Sequence, residues 1–386
     1  MITNLLKFRV PWIASLFTVA LITMLPPTAS AFDFEFQNLY YNIKNDDEVG
    51  VTSHGETPGS YTGEITIPET VEFEGKTYKV TSIGANAFSE CNSLTAVNIP
   101  ESVTQIGVEA FNLCGSLASV NIPDGVTYIG GGAFGRCNSL TSIILPSSLK
   151  GIEEYTFFAC EKLTSVLFPE SIEYIGKSAF ESCTSLQSVV IPKSVYSISN
   201  AFGRCSSLTE FVVDEENDTY ASYDDALLNK SGNNLIYVAA GKQGHFDIPE
   251  TVQRISSFAF YGCNKLKSVN IPGSVTYIDT RAFQECGITS IKIPDSVTSI
   301  KDAFTCCGAL TSIILPANLT ELNGWAFYGC GSLTSITIPE SVTSIGSRVG
   351  ISRTGETFYA CDLLNYKIPY KGVISERRDD YFSLDA

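Results

Sequence analysis

Twelve cysteines in a chain of 386 residues are the first candidates for chemistry. Eleven stand at one position of a recurring pattern: Cys91, Cys114, Cys137, Cys160, Cys183, Cys205, Cys263, Cys286, Cys307, Cys330 and Cys361. Only Cys306 is extra. Stacked coils would bring neighbouring Cα atoms to about 5 Å, inside the disulfide window of roughly 4.4–6.8 Å. An odd-membered ladder cannot pair fully with itself, and a chain with its own core does not need the cross-links of small secreted domains. The pattern therefore favours a reduced, buried ladder of small plugs, with pairing between neighbours as the alternative. Zinc needs converging Cys and His ligands at short spacings such as C-x2-C. None is present, so no metal and no cofactor are expected.

The two histidines, His54 and His245, fall in irregular segments. Nucleophilic catalysis needs a base within hydrogen-bond reach of a Ser or Cys, and neither His lies in a nucleophile motif. Both read as exposed loop residues. Paired carboxylates could hydrolyse glycosides, and 41 acidic residues leave that open as a minor reading. The acidic runs Asp46-Asp47-Glu48 and Asp214-Glu215-Glu216-Asn217-Asp218 lack the spacing of a calcium loop and read as solvated surface. Gly130-Gly131-Gly132 is a turn within a repeat rather than a phosphate cradle. The chain reads as a binding protein and not an enzyme.

What, then, would position these residues? With 44% hydrophobic and 17% charged residues the chain has material for an ordered core. Residues 1–31 read as a secretory signal: Lys7 and Arg9, an uncharged apolar run from Val10 to Leu25, then Ala29-Ser30-Ala31. That run is shorter than the ~20 residues of a spanning helix, so cleavage after Ala31 is expected over retention as an anchor. No later stretch reaches spanning length, and the mature chain is expected outside the cytoplasm, secreted or at the cell surface. Loss of Lys7 and Arg9 makes the net charge of −16 two units more negative. Such a field repels phosphate backbones, which argues against nucleic acid as a partner.

The organising fact is a repeat. Phe88, Phe111, Phe134, Phe157 and Phe180 follow one another at 23 residues, and Phe202 comes after 22. Phe260, Phe283, Phe304 and Phe327 resume after a break, and Phe358 closes the series. In the unit Leu117-x-x-Val120-x-Ile122 the alternation is that of a short strand. Pro123 removes a backbone donor and ends it. Val126 and Ile129 point inward from a second extended piece. Gly130 is read as allowing a tight turn. Ala133-Phe134 is read as a helical or 3₁₀ turn that drops a ring into the interior, with Cys137 beside it. One unit exposes both strand edges, so units must stack to bury a core, giving about 11–12 coils and a rod or arc roughly 50–60 Å long.

The recurring L-x-S-V-x-I-P-x-S-V-T-x-I-G-x-x-A-F-x-x-C resembles the BspA-like (Treponema-type) leucine-rich repeats of secreted bacterial surface proteins. The resemblance covers about residues 63–369. It implies a right-handed β/α solenoid, mostly β with short helical or 3₁₀ turns. It also implies adhesion to host extracellular proteins such as fibronectin or fibrinogen, or to other cells. The pattern departs from the commonest leucine-rich form at the inward Asn after the strand. Small residues such as Ser102 and Ser148 stand there, so an Asn ladder is not expected.

Breaks in the period mark individuality. Residues 32–62 are alternating and aromatic and read as an N-terminal β cap. Glu72 to Tyr78 reads as a hairpin. Phe202 and Phe260 are 58 residues apart, and an irregular hairpin insert is placed at about 214–246. Residues 370–386 leave the pattern as a tail or cap.

The strand residue between the two inward ones faces outward. In coil order it is Asn98, Asn121, Ile144, Leu167, Val190 and Val212. Stacked in register, Ile144, Leu167, Val190 and Val212 would form one apolar stripe on the sheet, the candidate partner-binding surface. Cover by the 214–246 insert and self-association are the competing readings. Outward serines beside the stripe would suit an extended protein or glycan. A structural spacer without a specific ligand is the alternative function.

Overall fold

The computed structural model describes residues 32–54, 59–322, 325–345 and 365–367. The expected signal at 1–31, the expected tail or cap at 370–386, Phe358 and Cys361 lie outside these residues. Each regular coil carries two short strands. In the coil of Phe134 they are Ser119–Asn121 and Tyr128–Ile129. The apolar residues at Leu117, Ile122, Val126 and Ile129 are buried, and the Pro123 carbonyl accepts from Val126 N at 3.0 Å to turn the chain between the strands.

Successive coils pair their strands in parallel, most of them in register. Ser142–Ile144 meets Ser165–Leu167, and Tyr174–Ile175 meets Ser197–Ile198. Two strand rows result, with the interior between them filled by Leu, Val, Ile and Phe. The ring stack is the spine of that interior. Phe88, Phe111, Phe134 and Phe157 are fully buried, with ring centroids 5.0, 5.2 and 5.6 Å apart and nearly parallel planes.

The expectation of helical or 3₁₀ turns fails. Among the described residues there is no helix of any kind. The reason lies in where alternate amides point. Ala87, Ser89 and Cys91 donate back to the carbonyls of Gly84, Asn86 and Phe88, as a 3₁₀ turn requires. Asn86, Phe88 and Glu90 donate instead to Val108, Ala110 and Asn112 on the next coil, at 2.9, 2.7 and 2.7 Å. Asn86 and Glu90 reach that geometry with φ of 56° and 63°. Left-handed backbone costs a non-glycine residue roughly 1–2 kcal/mol, offset here by a hydrogen bond to the neighbouring coil. The edge is thus a third ladder, and the fold is a β-solenoid almost entirely of strands and turns.

Gly130 also serves differently from expectation. It is not left-handed; a Cβ there would stand 2.5 Å from the backbone nitrogen of Val108. The glycine lets one coil seat on the one before.

At the N-terminus, Phe34–Phe36, Leu39–Ile43 and Glu48–Thr52 form an antiparallel meander whose last strand pairs in parallel with Lys76–Ile83. That strand is also half of a hairpin with Thr70–Phe73, turned at Glu74 and Gly75, both with positive φ. At the large break, Glu210–Val213 pairs normally with Ser188–Ile191. Tyr220–Tyr223, Ala226–Asn229 and Asn234–Val238 then form a meander, and the last strand rejoins the second row beside Arg254–Ile255. Strand alternation, shifted by a bulge in the pairing between Leu227 and Leu228, makes this meander a shared wall. Leu227, Tyr237 and Ala239 belong to the apolar cluster that begins at Phe34. Ala226, Leu228, Leu235 and Val238 belong to the one that continues to Val342. Asn217 is buried here, donating to the Pro192 and Val195 carbonyls at 2.8 and 2.9 Å. The insert therefore holds an inward asparagine where the regular coils have Val, Leu or Ile, as at Val195 of the coil before.

The ten described ladder cysteines are buried, and Cys306 is half-buried. Most thiols donate to the carbonyl of the previous coil's Phe, such as Cys137 to Phe111 at 3.2 Å and Cys160 to Phe134 at 3.1 Å. A native protein exposed to a maleimide should leave these ten unlabelled, while the denatured chain labels throughout. Peptide mass spectrometry reads this, and rapid native labelling at Cys114 to Cys205 would contradict it. Burial also pushes the thiols of Cys137, Cys183 and Cys286 up to about 12 from an ordinary 9.0. A raised folded value means stability is full below the unfolded pKa and is lost as pH climbs toward the folded one. Thermal melts should therefore fall progressively above a pH of about 9. A Tm unchanged between pH 8 and 10.5 would refute the assignment.

Candidate functional site

The outward position of the first strand row builds the candidate surface. Ile144 pairs with Leu167 across one ladder, and Val190 with Val212 across the next. The two ladders adjoin, Gln187 N donating to the Thr164 carbonyl at 3.3 Å. The inward neighbours Ile143, Val166, Val189 and Phe211 are buried, so the backbone beneath is fixed. Ile144 and Leu167 are 77% and 70% exposed, and Val190 and Val212 are 48% and 39% exposed. The stripe has polar ends. Asn98 and Asn121 pair at one, while Asp247 and Asn270 pair on the strands that follow the insert. The meander of the insert joins the second strand row and leaves the stripe open. Ile314 is a lone exposed apolar residue on the same row, opposite Lys292.

The serines beside the stripe take the next outward position, Ser142 opposite Ser165 and Ser188 opposite Glu210. Threonines one place earlier face another way. Thr164 and Thr209 donate their hydroxyls to the preceding coil's backbone at 3.1 and 3.4 Å. They hold coils together instead of meeting a ligand. The described residues of the Phe and Cys ladders are buried in the interior and take no part in this surface.

Two arrangements were not read from the sequence. His245 occupies the serine column, shares a 2.7 Å hydrogen bond with Ser268, and meets Asp247 at 3.1 Å. The reading of His245 as an exposed loop residue is corrected in part: it is exposed, but it lies in strand Gly244–Asp247. The trio lies on open sheet, with the His245 and Asp247 side chains more than half exposed. No cleft there excludes water or lines up a substrate, so it is a surface hydrogen-bond chain. His54 packs against Phe32 and Tyr40 in the N-terminal meander.

The second arrangement is an open groove of about 460 Å³ on the Phe–Cys edge, across Ser182, Arg204, Gly262, Glu285, Cys306 and Gly308. Two shortened coils make it. Val238 to Gly241 replace a Phe-x-x-Cys turn, so Arg204 N bonds past them to the Tyr261 carbonyl at 3.3 Å. Cys286-Gly287-Ile288 is one residue shorter than Cys263-Asn264-Lys265-Leu266 of the preceding coil, and a Cβ on Gly287 would stand 2.1 Å from the Asn264 carbonyl. The charges within the groove satisfy one another. Arg204 pairs with Glu285 and lies 5.2 Å over Tyr261, whose hydroxyl donates to Glu181 at 3.0 Å. The cluster staples the edge across the insert.

Among the described residues no group of three or more His, Cys, Asp or Glu could hold a metal ion, and no helix is long and apolar enough to cross a membrane.

The comparisons agree with this geometry. No curated protein matches the chain. The chain is similar to the crystal structure of a leucine rich cell surface protein from Faecalibacterium prausnitzii. The two are 29% identical, with 88% of this chain and 95% of that one covered, at a TM-score of 0.64. It is also similar in fold to the pneumococcal vaccine antigen PcpA, at 22% identity, 88% coverage of each chain and a TM-score of 0.63. A family model described as "BspA type Leucine rich repeat region (6 copies)" matches residues 81–209 and 236–354, more than half the chain. With that extent of match and the coil geometry above, the chain belongs to the BspA type leucine rich repeat family.

Proposed function

We propose that this chain is an exported adhesive protein that holds an extracellular protein partner against the apolar stripe Ile144–Leu167–Val190–Val212. The observation that carries the reading is the contiguous exposure of that stripe on a rigid sheet. Exposed apolar surface of this kind usually marks a contact site. The signal-like residues 1–31, the family, and the cell-surface description of the Faecalibacterium relative support the setting. The stripe is flat, with no enclosing walls, so it suits the side of a protein better than a small molecule. Net charge of −16 disfavours acidic partners.

The test is a binding screen of the mature chain, residues 32–386, against immobilised fibronectin, fibrinogen and other matrix proteins. Saturable capture of one of them supports the proposal. Capture of none, or capture that survives acidic substitution of the stripe, removes it.

A further inference from the structure

The second strand row carries a different surface. Tyr174 lies across Gly151: a Cβ built on Gly151 would stand 2.0 Å from the Tyr174 Cζ. Gly151 is not left-handed, so its backbone does not require glycine. The same column holds Gln105, Tyr128, Tyr174, Ser197 and Tyr277 in other coils. The missing side chain at 151 makes a bed for the ring. The Tyr174 hydroxyl donates to Glu153 Oε1 at 2.6 Å and fixes how the ring lies. One face of the ring rests on the Gly151 backbone, and the residue keeps part of its surface in solvent.

Two more tyrosines flank this platform. Tyr128 belongs to the coil before that of Gly151 and is 41% exposed. Tyr196 belongs to the coil after that of Tyr174 and is 59% exposed, its backbone nitrogen bonded to the Glu173 carbonyl at 2.9 Å. Tyr128 shares the column of Tyr174 two coils before it, and Tyr196 precedes Ser197, the register partner of Tyr174 on the next coil. Lys150 and Glu173, paired at 3.2 Å, stand in the adjoining column and give the platform a polar rim. None of these residues contributes to the apolar stripe.

We propose that Tyr128, Tyr174 and Tyr196 form a binding platform for a neutral polysaccharide lying along the stack of coils. A pyranose presents a flat C–H face and a rim of hydroxyls. The tyrosine faces meet the first, as amphipathic aromatic surfaces do. Glu153, Glu173 and Lys150 can accept from and donate to the second. A ring already pinned loses little freedom on binding. The chain's strong negative charge selects against anionic polymers.

Affinity electrophoresis of the mature chain in native gels containing hydroxyethyl cellulose, xylan, galactomannan or starch tests this. At least one of these neutral polymers should retard the chain. Tyr196→Ala should weaken that retardation roughly tenfold, on the scale of a tyrosine hot spot. The Tyr128→Ala/Tyr196→Ala pair should abolish it. Gly151→Val should weaken it as well by lifting Tyr174, with a thermal melt confirming that the variant folds. Leu167→Asp, which probes the protein-binding stripe, should leave retardation unchanged. The proposal is overturned if no neutral polymer retards the chain, if the double variant migrates like wild type, or if only an anionic polymer such as alginate retards it.

Discussion

Phe134→Ala lowers the stability of the folded chain by about 3–5 kcal/mol. The ring is fully buried between Phe111 and Phe157, at 5.2 and 5.6 Å. Removing it deletes buried apolar surface and breaks two stacked ring pairs at once, each pair worth about 0.5–1.5 kcal/mol beyond burial. The cavity cannot close. Phe134 N is tied to the Thr156 carbonyl at 2.9 Å, and Phe111 N to the Ala133 carbonyl at 2.7 Å, so the coils on both sides are held open by their backbones. Coils depend on their neighbours, so the loss should spread to the interfaces on either side. Urea unfolding gives the magnitude. Hydrogen exchange should show amides of residues 106–160 opening first. A loss below about 1 kcal/mol, or one confined to a single turn, would mean that the ring stack is not the spine of the fold.

The second large effect is on binding. Leu167→Asp should weaken capture of the protein partner roughly 30-fold or more, the scale of a central hot spot. The residue is 70% exposed, so folding stability should change by no more than about 0.5 kcal/mol. Ile144→Asp should act similarly, being 77% exposed beside it. Val212→Asp should act less, since only 39% of it is available. The matched control is Ile314→Asp, equally apolar and 61% exposed but outside the stripe. It should leave affinity intact, and Kd by surface plasmon resonance separates the cases. An equal loss from Leu167→Asp and Ile314→Asp would point to general charge rather than to a localised contact.

Much of this architecture is legible in the residue pattern because its determinants are local. A 23-residue recurrence of Phe, preceded by strand alternation and a strand-ending Pro, suffices for a stacked solenoid. The outward stripe follows from the same period of two. The turns are misread for a physical reason. An Ala-Phe-x-x-Cys run in a 3₁₀ turn and one in a ladder turn share the same inward spacing. They differ only in whether the amides of Asn86, Phe88 and Glu90 point back along the chain or on to the next coil. That choice belongs to the stack. The trio of His245, Asp247 and Ser268 also escapes a linear reading, because two of its members come together only when coils are laid in register. A column-by-column alignment would have shown His245 in the serine position. The groove at Arg204 and Glu285 comes from shortened coils. The 21-residue step from Phe283 to Phe304 displays one of them, but not the contact of Gly287 with Asn264 that it permits.

A functional contact made by the open sheet stripe must put Leu167 at the partner's surface. Photo-cross-linking tests it most directly, with benzoylphenylalanine placed at position 167 in one chain and at position 314 in another. Illumination in the presence of the captured matrix protein should yield a cross-linked complex from position 167 and none from position 314. Equal yields from both positions, or a complex from 314 alone, would contradict the account.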